Sequence, residues 1–190
     1  MTLTLSPLRF ALAADLLQAL PELAAALSAR PLPAESAADF LARLATSPIP
    51  EEALTFAAQA LTPRLAVWWG HECLLARPEV VTTEDRSLLA LAARWVSAQD
   101  EASRNGALLR ALQSPRGPGA WVALGAGWAA PEVAAPVTAP VTGHMTGHMT
   151  GQAVATGVLL ALARIPQEDR RRNLAQCVVM AQSLMAQTPG

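Results

Sequence analysis

Apolar residues recur along this chain at intervals of three and four from one end to the other, the spacing of helices that bury one face. Leu8, Leu12 and Leu16 fall on one side of a predicted first helix, and Pro21 opens a short second one carrying Leu23 and Leu27. After the turn "RPLPAES", Ser36 or Ala34 begins a helix with Phe40, Leu41 and Leu44 at core spacing. In "SPIPEE", Pro50 suits a first helical position, and Glu51 and Glu52 suit the positive end of the helix dipole. Thr62-Pro63 opens "PRLAVWWGHECLLAR", which is apolar nearly all round and therefore predicts a central helix packed on most sides. "TTED" at 82–85 is an N-cap signature, in which the Thr82 side chain accepts from the amide of Asp85. The helix it starts carries Leu88, Leu91, Ala92 and Trp95, and another surrounds Leu108, Leu109 and Leu112. "QSPRGPG" is a firm break, and "AWVALGAGWA" a short helix after it. From about residue 129 to 150 the pattern disappears into prolines, threonines and glycines, which predicts a flexible loop. Two helices close the chain, and Ala153, Gly157 and Ala161 give the first of them a shallow stripe for close approach of another helix.

About eight to nine helices and no convincing strand predict an all-α fold. No period recurs with a repeat signature, so the expectation is a single irregular bundle over residues 1–190, with stacked helical hairpins as its local unit. Composition agrees: the 190 residues are 52% hydrophobic and 15% charged, enough apolar material for a packed core.

Charge narrows the function. Lysine is absent, and 14 arginines against 15 acids leave a net charge of −1. There is no basic excess to displace counterions from nucleic acid or to hold anionic lipid, so neither is expected as a partner. The N-terminal stretch lacks a basic start and is interrupted by Asp15, Pro21 and Glu22, which argues against a secretion signal. Prolines 118, 131, 136 and 140 break up the apolar stretch from Gly117 to Ala163, so no membrane insertion is expected. A cytoplasmic location follows, and with it two free, buried cysteines, Cys73 and Cys177.

Few residues suggest chemistry. His144 and His148 lie in "APVTAPVTGHMTGHMT", two perfectly doubled tetrapeptides of the kind replication slippage writes. No cysteine or acid is near to complete a zinc site; the imidazoles with their thioether neighbours would suit copper as the alternative, but an incidental loop with no metal and no cofactor is the expectation. In "WWGHEC", His71 and Glu72 begin a zinc-protease pattern that Leu75 then breaks. With Arg64 they form a polar edge on a buried helix, and the alternative function is a small enzyme or ligand-binding protein with its pocket there. No catalytic set converges in the sequence. In "PQEDRRRN", Arg170, Arg171 and Arg172 follow Glu168 and Asp169, which gives either a salt-bridged solvated face or a patch for an acidic partner. Of the five tryptophans, Trp68 and Trp69 point about 100° apart on a helix. Trp69 continues the core row of Leu65 and Cys73, and Trp68 lies nearer the polar edge, where tryptophan is an effective anchor for a partner.

Pro63, Ala66, Trp68 and Trp69, followed by Thr150, Gly151, Ala153 and Val154, carry a resemblance. With its Pro-x-x-Ala-x-Trp-Trp helix mid-chain and Thr-Gly-x-Ala-Val helix near the end, the chain resembles an uncharacterised bacterial family of short helical proteins. The resemblance implies that the GHMT copy ending at Thr150 is ancestral and the earlier one inserted. It implies proximity to type VI-like secretion components and an adaptor or accessory role, with no catalytic residues. The expected function is thus a non-enzymatic helical interaction protein that binds another protein through Trp68 and the 170–172 arginines.

Overall fold

A computed structural model describes residues 6–129 and 142–186, with side chains from residue 147 onward in the second stretch. Ten α-helices occupy these residues: α1 (Ala13–Ala19), α2 (Pro21–Ala26), α3 (Ala37–Ala45), α4 (Glu51–Ala60), α5 (Pro63–Leu75), α6 (Thr83–Ala98), α7 (Glu101–Gln113), α8 (Pro118–Trp128), α9 (Thr142–Ala163) and α10 (Gln167–Met185). A single 3₁₀ turn, Pro78–Val80, joins α5 to α6. Strand-like pairing among the described residues is confined to two isolated bridges, Leu8 with Leu61 and Leu12 with Ser36. The fold is all-α, a bundle of short helices.

Local chemistry starts the helices where the sequence places the starts. The Ser36 hydroxyl accepts from the Asp39 amide at 3.1 Å. At α6 the capping box is complete: Thr82 Oγ1 accepts from the Asp85 amide at 3.0 Å, and Asp85 Oδ2 accepts from the Thr82 amide at 3.1 Å. Pro63 is the first residue of α5, while Pro50 caps α4 from just outside it. The apolar α5 is central, packed by α4, α6, α8, α9 and α10. Trp69 and Cys73 on it are fully buried, and Phe40 meets Phe56 edge to face at 4.9 Å between α3 and α4.

The expected helix through Leu8 and Leu12 begins only at Ala13. The stretch before it is extended because it serves the open ends of two other helices. Arg9 N–H donates to Ala60 C=O at 2.9 Å, at the end of α4, and Ala37 N–H at the start of α3 donates to Ala11 C=O at 2.9 Å. Helix termini leave such groups without partners of their own, and this stretch satisfies them.

The expected loop needs a larger correction. Residues 142–150, read as the end of a flexible segment, are the first turns of α9; residues 130–141 lie outside the described residues. Glycines that count against an isolated helix are required by this one, because α9 lies close against α4 and α8. A Cβ placed on Gly151 would sit 2.8 Å from Ala58 O on α4 and 2.7 Å from Gln59 Oε1. A Cβ on Gly157 would sit 2.8 Å from Pro118 O on α8. Buried polar groups seal the contact: Gln59 Nε2 donates to His148 O at 3.1 Å, and Thr150 Oγ1 to Gly125 O at 3.1 Å. Tertiary packing thus overrides the roughly 1 kcal/mol per glycine that helix propensity charges.

This predicts opposite signs for one substitution at two sites. Gly106 on α7 has open space around it. Gly106→Ala therefore stabilises by about 0.5–1 kcal/mol, through helix propensity and the unfolded state. Gly151→Ala meets backbone that cannot yield, and destabilises by about 1–3 kcal/mol. Urea denaturation of the two variants checks both signs.

Candidate functional site

Three sets of side chains stand out, and the fold treats each differently. On α5, the Trp68 ring stacks on His71 at 5.1 Å between centroids with 16° between planes. His71 Nδ1 meets Glu72 Oε1 at 2.9 Å. Arg64 does not join them: it lies on the solvent side and its Nε donates to Val96 O, at 3.0 Å, near the end of α6. His71 is buried beneath Trp68, and its polar partner is its own sequence neighbour. This arrangement fixes the orientation of the tryptophan.

The histidines of the doubled repeat lie one turn apart on the α9 backbone, and the side chain of His144 is outside the described residues. His148 is half-buried, and its Nδ1 is buried without a hydrogen-bond partner among the described residues. No group of three potential metal ligands assembles among the described residues.

At the start of α10 the picture changes. Pro166 directs the chain into α10 against the α3–α4 turn, and an open groove of about 310 Å³ forms between them. Ser47, Glu51, Gln167, Arg170, Arg171 and Leu174 line it. A smaller cavity of about 120 Å³ continues from it along α9, sharing Glu51, Arg170 and Leu174 and adding Leu159 and Leu162. Ile49 stands at the rim, between the lining residues Pro48 and Pro50, and is 48% exposed.

The three arginines of this region have separate jobs. Arg170 closes the end of α9: its Nε donates to Leu162 O at 3.2 Å and its NH2 to Ala163 O and Ile165 O at 3.3 Å each. A cation there also meets the negative end of the α9 dipole. Arg172 pairs with Asp169 at 2.8 Å on the open surface, a contact worth little. Arg171 is exposed, lines the groove and makes no ion pair among the described residues. Across the groove, the exposed Glu51 at the start of α4 supplies the opposite charge. The groove thus brings together two of the three arginines, without Arg172 and without Trp68.

Two further constellations escape a reading of the sequence. Asp85 joins three helices. Besides capping α6, its Oδ1 accepts from the Gly119 amide of α8 at 2.8 Å, and its Oδ2 lies 3.4 Å from Arg164 at the end of α9. Burial pushes its carboxyl upward, but the Gly119 amide, the Thr82 hydroxyl and amide and the Arg164 guanidinium together hold it below the usual range. The one sequence signal is the Gly117-Pro118-Gly119 break: a Cβ on Gly119 would lie 2.5 Å from Asp85 O. The second constellation is Arg77, just beyond α5 and 1% exposed, beside the two cysteines.

Comparison with protein families supplies the remaining observation. A family profile matches residues 40–185, which is most of the chain. The chain belongs to DUF6931, a family of unknown function. The DUF6931 match begins within α3, so it takes in the tryptophan pair, Asp85, both cysteines and all residues lining the groove, while α1 and α2 precede it. Comparison of this DUF6931 chain with curated proteins and with solved structures returns no match. No helix among the described residues is long and apolar enough to cross a membrane.

Proposed function

We propose that this chain is a non-enzymatic helical interaction protein, an adaptor or accessory component that holds another protein in the groove between the α3–α4 turn and α10. The observation that carries this reading is the groove itself. It offers an unpaired arginine, an acid opposite and an apolar rim at Ile49. An arginine beside apolar surface is characteristic of interface anchors. The partner segment that suits it presents a carboxylate to Arg171 and a donor to Glu51, with an apolar side chain between them. The tryptophan and Thr-Gly motifs resemble a bacterial family linked to type VI-like secretion, which supports a cytoplasmic accessory role in such an assembly.

Arg171 carries the test because it makes no ion pair among the described residues. Arg171→Glu leaves the circular dichroism spectrum and melting temperature unchanged and weakens the partner complex by about tenfold or more, since it sets like charges against each other. Affinity capture from the native host, quantified for both forms, reads the difference. Equal recovery of the same partner by both forms removes the groove from the interface.

A further inference from the structure

The sequence places Cys73 and Cys177 far apart, yet α5 and α10 bring these two buried residues to one crossing in the core. Bonds on either side hold the two helices in this register. One turn before Cys73, Trp69 Nε1 donates to Cys177 O at 2.9 Å. One turn after it, the Arg77 guanidinium donates to Cys73 O and, at 2.6 Å, to Asn173 O on α10. The two cysteines therefore lie together at a crossing pinned on both sides.

Arg77 gives the site its second feature. It is 1% exposed, its Nε has no hydrogen-bond partner among the described residues, and its hydrogen bonds go to carbonyl oxygens and to Gln176 Oε1 at 3.4 Å. No carboxylate among the described residues pairs with it. A buried cation without a counter-ion favours an anion beside it. Its charge acts on both thiols, while Glu72 opposes it at Cys73.

We infer that Cys73 and Cys177 are a redox-responsive pair, closed by a peroxide into an intramolecular disulfide that ties α10 to α5. The two thiols have different roles. The Cys73 hydrogen bond and the charge of Arg77 favour the Cys177 thiolate, whereas burial keeps Cys73 protonated. The Cys177 thiolate attacks one peroxide oxygen, the O–O bond breaks, and the departing hydroxide takes up the thiol proton to leave as water. This leaves a sulfenic acid on Cys177. The Cys73 sulfur then attacks the sulfenyl sulfur, the S–S bond forms, and the hydroxyl leaves with the Cys73 proton as a second water. Two thiols lose two electrons, and one peroxide is reduced to two waters. Access comes through local opening of α10, the last helix, whose N-terminal half presents its arginine face to the groove and to solvent.

The test uses the full chain, reduced and then exposed to hydrogen peroxide under native conditions. Denaturation in a maleimide and peptide mapping by mass spectrometry follow. The expected result is loss of both maleimide labels, a chain lighter by two hydrogens, and a peptide pair joining Cys73 to Cys177 that a dithiol reductant separates. The bond closes a loop of roughly a hundred residues, so the melting temperature rises by about 5–10 °C. In Cys177→Ala, Cys73 stays labelled after the same treatment. If both wild-type thiols remain labelled, are driven to sulfinic or sulfonic acid, or bridge separate chains, the inference is overturned. Mapping of the wild-type chain decides this even where the variant fails to fold.

Discussion

Trp69→Ala should cost about 3–5 kcal/mol, close to the whole stability of many domains, and should leave little soluble protein. The indole is completely enclosed at the crossing of α5 with its neighbours. Truncation removes a large apolar surface and leaves a cavity among helices already pinned by other contacts. It also removes the bond from Nε1 to Cys177 O, which helps set the register of α10. The adjacent Trp68→Ala should cost far less, about 1–1.5 kcal/mol, because that ring is half-buried and its main contribution is stacking on His71. Denaturation midpoints of the two variants measure the contrast. Equal losses would mean that the faces of α5 are wrongly assigned.

Asp85→Ala should cost about 2–4 kcal/mol, an unusually large effect for a charged residue at a helix start. The ordinary contribution is the capping box. The excess comes mainly from the Gly119 amide, buried at the start of α8 and left without an acceptor; Arg164 loses its carboxylate partner but keeps its bond to Val80 O. The pH dependence has a definite sign. The folded-state pKa is depressed, so the carboxylate stabilises the fold at pH values above its unfolded pKa of about 4. That contribution disappears as pH falls through the folded value. Wild-type protein should therefore lose stability on acidification below about pH 4 more steeply than Asp85→Ala does. Urea midpoints measured between neutral and acid pH separate the two curves; parallel curves would show that Asp85 does not couple the helices.

These two residues also show what a sequence can reveal. The position of Trp69 follows from helical periodicity alone, because its row on α5 continues through Cys73. Thr82 and Asp85 declare a helix start because a capping box is a local device, complete within four residues. The second half of Asp85's role is hidden for the same reason: Gly119 and Arg164 are distant in sequence, and the Gly117-Pro118-Gly119 break marks a turn without naming its partner. Cys73 and Cys177 likewise become a pair only once α10 folds back on α5. Glycine misleads most. At Gly147 and Gly151 its weak helix propensity argues for a loop, whereas the fold uses the missing side chain of Gly151 to seat α9 against α4 and that of Gly147 to admit Arg9. The Leu8–Leu12 stretch misleads in another way, since its spacing is helical but its backbone is occupied capping α3 and α4. Of the candidate site, Arg170 and Arg171 were legible as a charged cluster. Their separation into one helix-closing arginine and one without an ion pair among the described residues depends on where α9 ends, which no local pattern specifies.

The proposed docking role is tested most directly by installing a photoreactive side chain at position 171, in the groove, and separately at position 106, on the open face of α7. Irradiation in living cells of the native host, followed by mass spectrometry, should yield a covalent adduct with one particular protein from position 171 and none with that protein from position 106. No adduct from position 171, or the same set of adducts from both positions, would contradict the account.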